Sequence, residues 1–353
     1  MKKYMECFMV LFLMIIILWF LGGEEENDTE YKIGVICGSE ANTLLKQYIA
    51  YVETYFPVEI EVITPSMGYN SYTEITKKLC RNHAQIILNA TTDEISEILD
   101  ICEEKEVYLM QFWDMPEDTD LLEKCRNSSY FLGYIKNNEK QAIREMAKVF
   151  GEANCRNILI LENYYLGQSS TVHKIRSSQM LKELEKILPD CKVKVIRGAR
   201  SQFAAVQNLV RQGIIPDGIF LTTGINDAEL GDIKEVLGNE NVQLAWFNAN
   251  RKIEEQLKKG NHITVACGQN NIFGLAFAVA WRFLTTGYKE DSMIEMECNY
   301  LIVSSLEDYE KLLSKTIEKV PYDYSELMEI SDSLSSGTEV LARYCQKYSL
   351  KEN

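Results

Sequence analysis

The chain has 353 residues, 46% of them apolar and 25% charged, enough to bury the cores of two compact lobes and too apolar for a disordered segment. A formal net charge of -15, with no clustered stripe of Lys and Arg, argues against a nucleic-acid surface. The three histidines, His83, His173 and His262, stand far apart and fit neither HExxH nor a Cys/His metal spacing, so neither a metal nor a cofactor is expected.

The ten cysteines are scattered singly, without a CxxC pair. Several, such as Cys37 and Cys267, fall inside apolar strand patterns, where a thiol acts as a small hydrophobe. If Cys7 belongs to a membrane segment, nine remain outside it, an odd number, so at least one stays unpaired. That usage suits an exported protein living where oxidants are scarce.

Lys2 and Lys3 precede an apolar run from Cys7 to Leu21, and Gly22, Gly23 and then Glu24, Glu25 and Glu26 follow it. Basic residues stay inside and the acidic flank leaves, so this reads as an export signal that places the bulk of the chain outside the cytoplasm. The run is shorter than the roughly 20 residues of a typical span. No small-x-small site surrounds Phe20 and Leu21 and no lipidation cysteine follows, so the expectation is an uncleaved tether to the cell membrane, with cleavage as the alternative.

After a charged linker, Tyr31 to Cys37 reads as a buried strand, and a helix with Leu44, Leu45, Tyr48 and Val52 follows. The rhythm repeats: strand Val58 to Thr64, helix Tyr72 to Cys80, strand Ala84 to Leu88, helix Asp93 to Glu104 and strand Val107 to Trp113. A polar connection rich in Asp and Glu leads to a fifth strand, Tyr130 to Ile135. A second series opens with helix Glu139 to Phe150, strand Asn157 to Leu161 and a long helix, Thr171 to Leu188. It continues through strand Lys192 to Ile196, helix Phe203 to Gln212, strand Gly218 to Thr222, helix Ala228 to Leu237, strand Val242 to Trp246 and helix Ile253 to Lys259.

His262 to Gly287 then packs a buried strand (Ile263, Val265, Ala266), a polar corner and an apolar helix (Phe273, Phe277, Ala280, Trp281, Leu284) into one run. Tyr300 to Val303 is a last strand, and Ser304 to Asn353 reads as two or three amphipathic helices packing on a lobe. Strands alternating with helices make parallel sheets covered on both faces, and two series make two lobes.

Several short runs in this order resemble the type I periplasmic sugar-binding proteins, the ribose-binding group that shares its fold with lactose-repressor effector domains. Asn89-Ala90-Thr91-Thr92 resembles the NPTD-like turn of that family, and Lys136-Asn137-Asn138 with Ala142 resembles its entry to the second lobe. Arg176 with Met180, Asn226-Asp227 with Leu230-Gly231, Trp246-Phe247-Asn248, and Gln269-Asn270 with Gly274 resemble four further runs. The likeness covers about residues 31 to 305. It implies an α/β fold of two Rossmann-like lobes joined by three crossovers, near Ile135, Gln269 and Glu297, with a ligand enclosed between lobes that close on a hinge.

The implied division is 1–23 signal peptide or membrane anchor, 24–30 linker, 31–135 with 269–297 the first lobe, 136–268 with 298–305 the second, and 306–353 a helical tail. The first-strand loop departs from the family pattern: Gly38-Ser39-Glu40-Ala41-Asn42 offers no stacking aromatic, and Asn248 stands where the family carries Asp.

Ligands of open α/β sheets sit at the carboxyl ends of strands, so the candidate binding residues are Ser39, Glu40, Asn42, Asn89, Trp113, Asp114, Asn138, Arg176, Asn226, Asp227, Asn248 and Gln269. Hydroxyls both donate and accept, which amides, carboxylates and a guanidinium satisfy, while an aromatic face covers C–H surface. Each candidate has a plainer role beside it. Trp113 is core or platform, Arg176 a solvated helix charge or a fork onto ligand oxygens, and Asn89, Asn226, Asp227 and Asn248 are helix caps or ligand contacts. Glu40 either selects a cationic or amino-bearing ligand or points to water.

No nucleophile with a base, no phosphate-cradling glycine loop and no paired carboxylates are present, so no catalytic residue is named. Two functions fit. One is an extracytoplasmic solute-binding protein handing a sugar-like solute to an ABC permease. The other is a membrane-tethered sensor passing occupancy to a histidine kinase or other receptor. A repressor is disfavoured because no helix-turn-helix precedes Tyr31.

Overall fold

The structure, a computed structural model, describes residues 30–38, 43–163, 171–199, 201–238, 241–248, 252–267, 271–287, 293–313 and 321–346. Two six-stranded sheets organise them. The first contains β1 (Tyr31–Ile36), β2 (Val58–Ile63), β3 (Ile86–Asn89), β4 (Tyr108–Trp113), β5 (Phe131–Asn137) and β11 (Ile294–Cys298), in the order β11-β5-β4-β3-β1-β2, all parallel. The second contains β6 (Asn157–Asn163), β7 (Lys192–Ala199), β8 (Gly218–Leu221), β9 (Gln243–Phe247), β10 (Ile263–Cys267) and β12 (Leu301–Val303), in the order β12-β10-β9-β8-β6-β7. Pairing is parallel, as expected, except at the edge, where β12 runs antiparallel to β10. The crossover from Cys298 to Leu301 is too short to carry the chain back for a parallel start.

Both faces of each sheet are covered, as the unbroken apolar strands require. On the first sheet α1 (Thr43–Tyr55) and α10 (Asn271–Thr286) share one core, and α2 (Tyr72–Arg81), α3 (Ile95–Glu104) and α4 (Thr119–Asn127) share the other. On the second, α5 (Glu139–Glu152) and α6 (Thr171–Ile187) cover one face and α7 (Gln202–Arg211), α8 (Asp227–Leu237) and α9 (Ile253–Lys258) the other.

The polar connection before β5 holds α4, a helix the sequence reading did not name. Asp118 caps it by accepting from the Leu121 amide at 2.8 Å, and Cys125 is its fully buried residue. So little apolar area leaves no periodic signal.

The segment after β12 does not pack as one body. Tyr309 and Leu312 of α11 (Leu306–Leu312) join the core of the second lobe. Leu327 and Ile330 of α12 (Tyr324–Ser333), with Leu341, Tyr344 and Cys345 of α13 (Glu339–Gln346), join the core of the first. The chain therefore passes between lobes once more after the crossovers that link the sheets.

Seven of the nine described cysteines are buried, in line with their reading as small hydrophobes. No described helix is long and apolar enough to cross a membrane, and the run Cys7 to Leu21 lies outside the described residues.

Where β5 meets its neighbours the register slips between Leu109 and Met110, and Gly133 takes φ 138°. A Cβ there would collide with the backbone of Ile294 in β11. Gly68, at φ 93°, has open space around it. Gly133→Ala is therefore expected to lower stability by on the order of 3 kcal/mol in urea unfolding, against about 1 kcal/mol for Gly68→Ala. Equal losses would show that conformation alone, and no strand-to-strand contact, requires Gly133.

Candidate functional site

Three buried amides fix the corner at the end of β4. Asn89 Nδ2 donates to Gln111 Oε1 at 2.7 Å and to the Thr91 carbonyl at 3.2 Å. Gln111 Nε2 donates to the carbonyls of Thr91 and Asp114 at 2.6 and 2.7 Å, and Asn137 Nδ2 donates to the Trp113 carbonyl at 3.0 Å. Asn89 is thus neither cap nor exposed ligand contact: it is fully buried and stitches strands at their ends. The network holds Trp113 at φ 74°, a conformation that costs a bulky residue free energy and persists only where surroundings over-determine it.

Trp113 is half-buried, its ring 5.0 Å from that of Phe112, and its buried indole N–H has no partner among the described residues. Across the molecule Asn248 follows β9 in the same left-handed conformation, φ 70°, and is exposed. Its carbonyl accepts from Trp246 Nε1 at 3.1 Å.

Beneath these corners lies a charged cluster. Arg176, in the first half of α6, is 4% exposed rather than solvated. Its Nε and Nη2 donate to the two oxygens of Glu139 at 2.8 and 2.7 Å, Nη1 donates to the Thr222 carbonyl at 2.8 Å, and Nη2 also reaches the Tyr300 hydroxyl at 3.2 Å. Tyr300 in turn donates to Glu139 Oε1 at 2.6 Å. The guanidinium lies 3.6 Å from the centre of the Phe247 ring, a close cation–π contact. Burial opposes the charge, but the Glu139 carboxylate more than offsets it and holds the guanidinium firmly protonated. Burial, and next the Glu139 charge, keep the Tyr300 phenol neutral.

His173, one turn earlier, contacts the Thr222 carbonyl through Nδ1 at 3.0 Å; burial and the Arg176 charge lower its proton affinity.

Asp114 faces this cluster from the first lobe. Burial, then the nearby Glu139 charge, raise its carboxyl to about 7, against the smaller pull of Arg176 and Lys136. With Asn138, Glu139, Lys136 and Ile175 it lines an inner recess of about 30 Å³. The recess shares Glu117 and Ile175 with a cleft of about 920 Å³ between the lobes. The wall of that cleft from the first lobe carries Glu94, Glu97, Asp118 and Asp120 with Lys124, and the opposite wall, from α6, carries Lys174 and Lys182. Walls of opposite sign favour closure and set its register, with a strength that salt screens.

Of the sequence candidates, Asp114 and Asn138 line the recess, and Arg176 lies against it. Asn138 caps α5 by accepting from the Gln141 amide at 3.0 Å. Asn226 caps α8, with Oδ1 accepting from the Glu229 amide at 2.9 Å and Nδ2 donating to Glu229 Oε2 at 3.0 Å. Asp227 is the first residue of α8. Ser39, Glu40, Asn42 and Gln269 lie outside the described residues. Sequence reasoning missed Glu139, Tyr300 and Lys136. Glu139 follows a capping Asn, where an acid is ordinary, so nothing marked it as the partner of a residue 37 positions away.

No family model and no curated protein matches this chain. Solved structures do. The binding protein of an arabinose ABC transporter from a Shewanella species, bound to L-arabinofuranose, superposes with TM-score 0.64 at 11% identity, covering 86% of this chain and 98% of its own. A periplasmic solute-binding protein from Actinobacillus succinogenes with bound D-allose gives 0.61 at 15%, covering 80% and 100%. A LacI-type regulator from Bacteroides fragilis gives 0.63 at 12%, covering 79% and 99%. These likenesses show the fold: the chain has the two-lobed architecture of type I periplasmic binding proteins, as the short runs in the sequence imply.

Two outcomes follow from the charged cluster. Arg176→Met strands a buried carboxylate and is expected to cost about 3–5 kcal/mol in urea unfolding, most of it regained in the double variant with Glu139→Gln. For Asp114 the folded-state value of about 7 lies above that of a free carboxyl, so the folded state holds the extra proton and stability falls as pH rises from about 4 to 7. Asp114→Asn should therefore melt higher than the parent at pH 8 by several degrees and match it near pH 4. A gap that does not change with pH would show that Asp114 ionises freely.

Proposed function

We propose that this protein is an extracytoplasmic solute-binding protein that encloses a sugar-like polar ligand between its lobes and presents it to an ABC permease, with the bulk of the chain held to the cell membrane by Cys7 to Leu21. The observation that carries this is a polar cleft between the lobes, continued inward by a recess at the ends of β4 and β5 and walled on the other side by α6. There, Asp114, an acid of raised proton affinity, and Asn138 line the inner recess, beside Trp113 with its left-handed backbone and unpartnered indole N–H.

Ligand contacts are assigned to Asp114, Asn138, Trp113 and Asn248, with Ser39, Glu40, Asn42 and Gln269 as further members. Asp114 accepts from hydroxyls once ionised, and Trp113 offers its N–H or ring. Arg176 serves as a fixed floor, since Glu139 already takes its fork. Asn89, Asn226 and Asp227 act as supports.

The sensor reading draws on a different observation. Asn299, in the crossover after β11, accepts from Asn138 Nδ2 at 3.1 Å and donates to Gln346 Oε1 of α13 at 2.7 Å. The last helix is thereby linked to two hinge crossovers, an arrangement by which a receptor reads closure.

The test is a thermal-shift screen of the full chain against aldopentoses, aldohexoses and cyclitols, with an amino sugar included for Glu40. A true ligand at one hundred times its Kd stabilises by about 2.7 kcal/mol, a rise of several degrees, which Asp114→Ala should abolish. The hit should also change tryptophan emission in the parent and not in Trp113→Phe. A melting temperature that no polyol or amino sugar moves would overturn the proposal.

A further inference from the structure

The ten cysteines are otherwise unassigned, and one pair stands apart. Cys298 is the last residue of β11 and Cys345 the penultimate residue of α13. They are 6% and 4% exposed and share one apolar core. The residues that follow them, Asn299 and Gln346, are joined side chain to side chain at 2.7 Å, so strand end and helix end are locked in register beside the two sulfurs. The same strand end is tied to the first crossover, because the Asn138 amide donates to the Cys298 carbonyl at 2.8 Å.

We propose that Cys298 and Cys345 form a disulfide when the chain meets an oxidising thiol pool, fastening the C-terminal helix to the strand that leads into the third crossover. The oxidant is a disulfide of the glutathione class or a disulfide-bearing oxidoreductase. One cysteine thiolate attacks a sulfur of that disulfide and expels a thiolate, giving a mixed disulfide. The second cysteine then attacks the protein sulfur, the new S–S bond forms and the other thiol leaves. The two cysteines lose two electrons and two protons, the electrons passing to the reagent, which ends as two thiols.

Exchange takes place while α13 is undocked, during folding or through fraying of this last described helix. In the packed state, the Cys345 thiol and burial hold the Cys298 thiol protonated, and burial shields both sulfurs. Once formed, the bond makes the contact of the tail with the hinge permanent.

The test uses the full chain, purified reduced and refolded with oxidised glutathione, then alkylated in denaturant and digested. The expected product is a linked peptide pair holding Cys298 and Cys345, about 2 Da lighter than the reduced pair by the two hydrogens lost. It should be accompanied by a melting temperature about 5 °C above that of the reduced protein. This readout needs no variant. In Cys345→Ser, provided it gives a cooperative melt, the oxidation-dependent rise should vanish. Recovery of both residues fully alkylated, a bond to any other cysteine, or a linked pair with no change in melting temperature would overturn the proposal.

Discussion

Parallel strands buried on both faces have little room along their length for a polar group. Ile86 to Leu88, Ile219 to Leu221 and Leu244 to Phe247 are each at most 1% exposed, and helices pack above and below them. Chemistry is thereby confined to the strand ends, where main-chain groups leave the ladder and a single residue can turn outward. Everything polar and concave in this molecule follows from that confinement. Asn89, Gln111 and Asn137 spend their amides holding the corner, and what the corner then presents to the inner recess is Asp114.

The cluster on the facing lobe obeys the same constraint with charge added. A guanidinium at 4% exposure is tolerable only if its donors are met and a carboxylate stands opposite. Glu139, Thr222 and Tyr300 meet them, and Phe247 closes the remaining face. Arg176, read from the sequence as either a solvated charge or a fork onto ligand oxygens, has its fork occupied by Glu139. Asp114 feels both Glu139 and Arg176, and the imbalance between them leaves it half-ready to ionise near neutral pH. A hydroxyl-rich ligand suits such a group, because it donates to the ionised carboxylate and accepts from the protonated one.

Much of the architecture was legible because apolar runs and caps are local signals. The strand series and the Asn226 cap rest on residues within one turn of each other. What could not be read lacked apolar periodicity or reached far along the chain. Helix α4 buries only Cys125 fully, and β11, an edge strand, alternates so that Ile294 and Cys298 alone are buried. The bond from Arg176 to Glu139 and those around Tyr300 join separate elements, and no spacing announces them. Of the site, the strand-end positions were legible and the division of labour was not: Asn89 and Arg176 turn out to be fully engaged within the protein.

Gly274 shows how a pattern is recognised for one reason and required for another. In sequence it completes a run resembling a hinge, yet a Cβ there would collide with the Tyr48 hydroxyl and lie 2.9 Å from the Tyr322 ring. The Tyr48 hydroxyl donates to the Tyr322 carbonyl at 3.0 Å, and the Tyr51 hydroxyl accepts from the Tyr324 amide at 2.8 Å, so α1 and α10 together receive the start of the tail. α11 belongs to the core of the second lobe, and α12 and α13 to that of the first. The tail is thus attached to the first lobe at two places, Tyr322 against α1 and α10 and Gln346 against Asn299.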